Sequence, residues 1–280
     1  MRSRLIVLGL GLVALAGCPK PMALRTYPPP SATELFEHVQ REKGALSAVR
    51  ARAKADLSDD SGGRVKIDLG LLVKRPDRLR VAGENALAGP LMTLATDGKN
   101  YQLIDLRNGR FSAGEVNPCS MSRLLRVTMP PTAAVDVLLG GAPLLAGEPS
   151  PEVGWDGRDG GLEVLTLRDG TGRSEILKLQ AAGKTWDLRQ AEGLDPSGRV
   201  VWRVRHEGHA EVPLVEGQPA TVRLPKVTHI EDLAHKSYVR LRWRERELNP
   251  ELEPELFRLE QPPGVPVEPD LCGGGASLTP

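Results

Sequence analysis

The residue with the clearest chemistry in this sequence is Cys18, a thiol that directly follows Leu15, Ala16 and Gly17. Leu5 to Ala16 form an apolar run of about a dozen residues behind Arg2 and Arg4, the layout of a secretory signal. The run is too short to span a bilayer, which takes roughly 20 residues.

Other chemistry-bearing residues form weaker patterns. His206-x-x-His209 is a close histidine pair at the end of Arg203-Val204-Arg205, which is expected to be a strand running into a turn. No third or fourth ligand has zinc spacing, so the pair reads as exposed strand-end histidines and no metal is expected. His229 and His235 flank Glu231-Asp232 and read as a polar loop. A Gly-x-Ser-x-Gly nucleophile turn is missing, and in Gly183-Lys184-Thr185 the phosphate-loop glycine five residues before Gly183 is replaced by Lys178. The carboxylates alternate with apolar residues or sit in turns, and none has the paired spacing of acid–base work. The chain is therefore expected not to be an enzyme and to need no cofactor. Arg240, Arg242, Arg244 and Arg246 share one parity of a late strand, with Glu245 and Glu247 on the other. They could meet lipid headgroups or an acidic partner, or form a charged outer face that blocks edge pairing.

The segment ending at Cys18 resembles the lipobox of bacterial lipoproteins. That resemblance implies that Cys18 becomes the acylated first residue and that residues 1–17 are removed as a lipoprotein signal peptide. With Pro19 rather than aspartate next to it, it also implies an outer-membrane address facing the periplasm. Two or three acyl chains, at about 0.8 kcal/mol per buried methylene, would hold the protein stably on a membrane. Loss of residues 1–17 takes two of the 37 basic residues and none of the 36 acidic ones, leaving a balance near −1 that offers nucleic acid no general attraction. Cys119 and Cys272 could form a disulfide in that compartment. Closing a loop of roughly 150 residues would contribute about 5 kcal/mol in the chain-entropy model.

The elements follow from hydrophobic period. Five prolines between Pro19 and Pro30 make residues 18–30 an extended tether. Ser31 and Glu34 form a capping box, and Leu35, Phe36, Val39, Leu46 and Val49 recur at helical spacing, which predicts one amphipathic helix over about 32–50. The period then becomes 2. Val65, Ile67, Leu69, Leu71 and Val73 alternate with Arg64, Lys66, Asp68, Gly70 and Leu72, and the pattern returns at Val200–Val204 and Val239–Trp243. Turn signals at Asp97-Gly98, Asn108-Gly109, Asp169-Gly170, Ala182-Gly183 and Asp195-Pro196-Ser197-Gly198 join these runs into an antiparallel meander. Met121–Val127 and Thr132–Leu139 read as two short helices separated by Pro130-Pro131. One domain over 31–269 and a disordered tail over 270–280, rich in glycine, complete the reading.

Three stretches make the chain resemble the LolA/LolB superfamily of bacterial lipoprotein carriers and outer-membrane lipoprotein receptors. They are Val73-Lys74-Arg75-Pro76 followed by Asp77-Arg78-Leu79-Arg80-Val81, then Thr96-Asp97-Gly98-Lys99-Asn100-Tyr101, and the mid-chain helices ending in Leu138-Leu139-Gly140-Gly141. The resemblance implies a mainly β (α+β) fold: a strongly curved antiparallel sheet forming a half-open barrel, covered by the N-terminal helix and plugged by the short helices. Glu84–Leu91 would be the receptor's protruding apolar loop. The implied function is binding of an apolar ligand, the acyl chains of lipoproteins or another envelope lipid. Its cavity would be lined by Leu35, Phe36, Val39, Val65, Ile67, Leu69, Leu71, Val73, Leu79 and Val81, with the last seven lying beneath the helix. The partners would be a membrane, reached through the lipid anchor, and a lipid or acylated protein. In a second reading, side chains fill the barrel and the protein is an interaction component of an envelope assembly.

Overall fold

The computed structural model describes residues 22–58, 63–85, 89–158, 160–214 and 220–268. Helix α1 (Ala32–Ala45) opens on the expected capping box: Ser31 Oγ accepts from the Glu34 N–H and the Glu34 carboxylate accepts from the Ser31 N–H. Six strands follow: β1 (Ala48–Ser58), β2 (Arg64–Lys74), β3 (Arg78–Asn85), β4 (Gly89–Thr96), β5 (Asn100–Asp105) and β6 (Arg110–Glu115). Helices α2 (Pro118–Leu125) and α3 (Pro131–Leu138) interrupt the sheet. The second run comprises β7 (Ser150–Asp156), β8 (Leu162–Arg168), β9 (Ser174–Ala182), β10 (Thr185–Leu194) and β11 (Val200–Glu207). After it come a ribbon of β12 (Ala210–Pro213) and β13 (Thr221–Leu224), then β14 (Val227–Asp232), β15 (Ser237–Leu248), a 3-10 turn (Pro254–Phe257) and β16 (Val267–Glu268).

These strands make one open sheet of 14, ordered β16-β6-β5-β4-β3-β2-β1-β15-β14-β11-β10-β9-β8-β7. Two antiparallel meanders are thus joined where β1, the first strand, pairs with β15, the last long one. The sheet curves without closing, with β7 at one edge and β16, paired in parallel with β6, at the other.

The predicted helix over 32–50 is corrected: it stops at Ala45, and Leu46 is extended at φ −115°, ψ 117°. Val49 belongs to β1, where Val49, Ala51, Ala53, Ala55 and Leu57 face inward and Arg50, Arg52, Lys54 and Asp56 face outward. Alanine favours helix in isolation, which hides the alternation. Two long partners, β2 and β15, satisfy every backbone group of β1 and override that propensity. The mid-chain helices each begin slightly earlier than read, because Pro118 and Pro131 supply fixed φ at the first helical position.

A second correction concerns what lies over β2 and β3. The side chains of Leu69, Leu71, Val73, Leu79 and Val81 are fully buried in a core shared with Met121, Leu125, Val135 and Leu138 of α2 and α3. Helix α1 packs elsewhere, with Leu35 and Val39 against Leu165, Leu167, Leu177 and Leu179 of β8 and β9. The short helices therefore plug the first meander and α1 covers the second. The hairpin at Asp97-Gly98 is a third point of close packing: Gly98 has φ +94°, and an added Cβ would lie 2.3 Å from the Asp77 carboxyl carbon.

Candidate functional site

The residues expected to line a cavity divide into three environments. Leu69, Leu71, Val73, Leu79 and Val81 are core, and so are Leu35 and Val39, with Phe36 half-buried beside them. Apart from Val39 they pack against other side chains. The partly open space between α1, the loop after α3, β10 and β13 is only about 60 Å³, walled by Val39, Leu139, Ala142, Leu179 and Trp186 among others.

Val65 and Ile67 behave differently. They lie at the open end of β2, where Val65 is 47% exposed. Together with Leu57 of β1, Gly83 of β3 and Leu91 and Met92 of β4 they form the apolar floor of an open hollow of about 320 Å³. That is the lower end of the range for small-ligand pockets, roughly 300–1,000 Å³. Gly83 keeps the floor low, because a Cβ there would press on Ile67 Cδ1 at 3.3 Å. The rim is polar: Ser58 of β1, Asp105, Arg107 and Asn108 at the β5–β6 turn, and Arg123 and Arg126 from the end of α2. The Nη1 of Arg123 is buried without a hydrogen-bond partner. An unpaired guanidinium N–H against an apolar floor favours an anionic or carbonyl oxygen of an amphiphile.

Leu91, Met92 and Arg123 were not legible as site residues. The sequence places Arg123 on a short helix, but only tertiary packing turns that helix end toward β4. Of the expected protruding loop at Glu84–Leu91, residues 86–88 lie outside the described residues, as do Cys18 and Cys272. Cys119 sits, exposed, in the first turn of α2.

The histidines do not form a metal site. Among the described residues no group of three or more His, Cys, Asp or Glu is arranged to hold a metal. The expectation that His206 and His209 are exposed is corrected: β11 continues to Glu207 and turns them under the β12–β13 ribbon. Nε2 of His206 donates to the Gly141 carbonyl at 3.0 Å, which leaves Nδ1 to accept from Thr228 Oγ1 at 3.2 Å. Burial holds His206 down to about 3 and His209 to about 4, so both are neutral near pH 7. Asp187 beside them takes a bidentate pair from Arg223 at 2.7 and 2.8 Å, which fastens the ribbon to β10. His229 is corrected from loop to strand, since it lies on β14. His235 is in the turn after it, and Asp232 there accepts from the N–H groups of Thr128 and His235, tying the α2–α3 link to the β14–β15 turn.

The arginine stripe is also corrected. A bulge opposite Arg52/Ala53 inserts one residue into β15 and reverses its parity, so that Arg246 shares the inner side of Trp243 and Ala51. Its guanidinium stacks 4.5 Å from the Trp243 ring and donates to the Pro225 carbonyl. Arg242 and Arg244 stay exposed, and Glu247 and Glu245 pair with Arg50 and Arg52 on the outer face. These solvated pairs contribute little to stability.

Solved structures share this architecture over about four-fifths of the chain. A LolA superfamily protein from Nitrosomonas europaea aligns with TM-score 0.53 at 15% identity, covering 82% of this chain and 99% of that one. The chain has the LolA/LolB-like fold. This LolA-like fold also matches a DUF1329 family protein from Desulfovibrio piger, with TM-score 0.54, 11% identity and coverage of 82% and 98%. An outer membrane lipoprotein-sorting protein domain from Vibrio parahaemolyticus aligns with TM-score 0.50 at 11% identity, covering 81% of this chain and 97% of that one. At these identities the likeness establishes the half-open barrel. No family profile and no curated protein matches the sequence.

Proposed function

We propose that this LolA-like protein is a non-enzymatic lipoprotein of the bacterial cell envelope, anchored through Cys18, that takes an acyl chain of a lipoprotein or envelope lipid into the hollow at the end of β1–β4. The supporting observation is the pairing of an apolar floor of Leu57, Val65, Ile67, Leu91 and Met92 with Arg123 at its rim, whose Nη1 has no hydrogen-bond partner. The apolar area would supply affinity, at roughly 25 cal/mol per Å² buried, less the cost of ordering the chain. Arg123 would orient the ester or headgroup oxygens. An outer-membrane position facing the periplasm accords with the lipobox and with Pro19 after the cysteine.

The test is native mass spectrometry of a secreted Cys18→Ala form purified without detergent, then incubated with diacylated peptides and phospholipids. A co-purifying or added lipid should appear as a defined mass. Met92→Glu should reduce its occupancy at least about tenfold, and Arg123→Ala should reduce it less, both with an unchanged melting temperature. Met92 is only partly buried, so this charge is tolerated in the unliganded fold. An apo mass under every condition would refute acyl binding and favour the assembly reading. That reading is favoured by one observation, an interior packed by its own side chains that leaves a space of only about 60 Å³ beneath α1.

A further inference from the structure

The proline-rich segment before α1 is extended, but from Met22 onward it does not stand free of the body. Ala23 donates its N–H to the Gly157 carbonyl at 2.8 Å, and its own carbonyl accepts from Trp155 Nε1 at 3.2 Å. Arg25 makes a bidentate pair with the fully buried Glu163 at 2.7 and 2.8 Å and lies 4.8 Å over the Trp155 ring. Tyr27 packs edge-on against Trp155 and Trp186, at 6.3 and 5.4 Å. Gly157 is required by this docking, since a Cβ there would lie 2.9 Å from the Ala23 carbonyl oxygen. The segment is thus laid along the β7–β8 hairpin end by contacts of every type.

Docking shortens the leash. Ser31 lies thirteen positions after Cys18, which a free tether would extend to about 45 Å. Met22 lies four positions after Cys18, a reach of about 14 Å at most. Ala23 and Arg25 face the protein and Leu24 points away, 84% exposed, whereas the side chain of Met22 lies beside Gly157 at the tip and is still 67% exposed. Beside them Arg158, in the β7–β8 turn, has its side chain 82% exposed.

We propose that the β7–β8 tip, with Met22, Leu24 and Arg158, is a docking surface for the phospholipid bilayer that carries the anchor. This rests on the reading of Cys18 as the lipidated residue. The short leash holds the tip at the headgroup layer, where Met22 and Leu24 enter the acyl boundary and Arg158 meets lipid phosphates. The edge strand β7 is then oriented toward the membrane, and the acyl-binding hollow belongs to the other meander.

The test uses the full chain expressed in a bacterial host, purified and reconstituted in vesicles of phosphatidylethanolamine and phosphatidylglycerol. The photo-cross-linker p-benzoylphenylalanine replaces Leu24, Arg158 or, as a distant control, Val267, one at a time, and intact mass reads acylation of Cys18 in the same samples. With Cys18 acylated, phospholipid adducts at positions 24 and 158 should exceed those at 267 at least about tenfold. Acylated protein with no such excess, or with cross-links between two copies at position 24, overturns the docking surface while the anchor stands. Absence of the acyl mass on Cys18 overturns both.

Discussion

Replacing Asp136 by alanine is expected to lower unfolding free energy by about 3 kcal/mol, at the lower end of the 3–5 kcal/mol typical when one partner of a buried charge cluster is removed. Asp136 sits on α3 with 6% exposure, and its carboxylate accepts from Lys43 Nζ of α1 at 2.8 Å and from the Arg75 guanidinium of the β2–β3 turn. Arg75 in turn donates to the Leu46 carbonyl at 2.7 Å, beside the end of α1. One buried carboxylate therefore joins the helix over the second meander, the turn of the first and the helix that plugs it. Lys43 can swing to water once released, which sets the lower end of the range, whereas Arg75 stays enclosed with half its partners gone. Denaturant titration measures the loss, and Asp136→Asn, which keeps an acceptor oxygen, should cost about half as much. A loss below about 1 kcal/mol for the alanine variant would show that these elements are held together by apolar packing alone.

Acid is expected to unfold the protein through its buried histidines well before its paired carboxylates are protonated. His206 and His209 are neutral in the fold, depressed by burial to about 3 and about 4, whereas in the unfolded chain they titrate near 6.5. Below that value the unfolded chain takes up two protons that the native state refuses, so stability falls as pH drops from about 6.5 toward 4. At pH 5 each histidine costs about 2 kcal/mol, about 4 together. Glu175 works in the opposite direction. Burial pushes its carboxyl up to about 7, and it accepts from the Leu145 N–H at 2.9 Å. The native state keeps a proton that the unfolded chain releases above about 4.5, so this contribution to stability is lost as pH rises toward 7. Between pH 7 and pH 5 it returns about 2 kcal/mol, leaving a net acid loss of about 2 kcal/mol. Glu175→Gln should therefore steepen the loss to about 4 kcal/mol. The His206→Gln, His209→Gln double variant should reverse the loss, so that stability rises by about 2 kcal/mol from pH 7 to pH 5 through Glu175. Melting temperatures across pH 5–8 decide this. A wild-type profile unchanged by both variants would mean that these side chains are solvated in the native state.

Much of the architecture was legible in the sequence because it rests on local chemistry. The Ser31/Glu34 box starts α1, prolines start α2 and α3, and Asp169 and Asp195 organise near-identical turns by accepting from backbone N–H groups two and four residues on. The apolar alternation of β2, with Val73, Leu79 and Val81 around its turn, marked a buried sheet face, and the three stretches similar to LolA/LolB proteins led to the fold that the solved structures share. Strand β1 was missed because three of its inward positions, Ala51, Ala53 and Ala55, are alanine, which carries little strand signal.

The candidate site and the orientation of the charged groups depended on contacts between distant parts of the chain. One inserted residue in β15, visible only against its partner β1, carried Arg246 from the outer face to the inner one. A strand ending in His206 and His209 looks exposed until the β12–β13 ribbon folds over it. The same holds for the hollow: Leu57, Ile67, Met92 and Arg123 come from β1, β2, β4 and α2 and line one space only in the folded chain. Local sequence determined most of the helices, strands and turns, because caps, turns and alternation act over a few residues. Tertiary structure decided which apolar residues are core and which line a hollow, because that depends on what the facing element leaves uncovered.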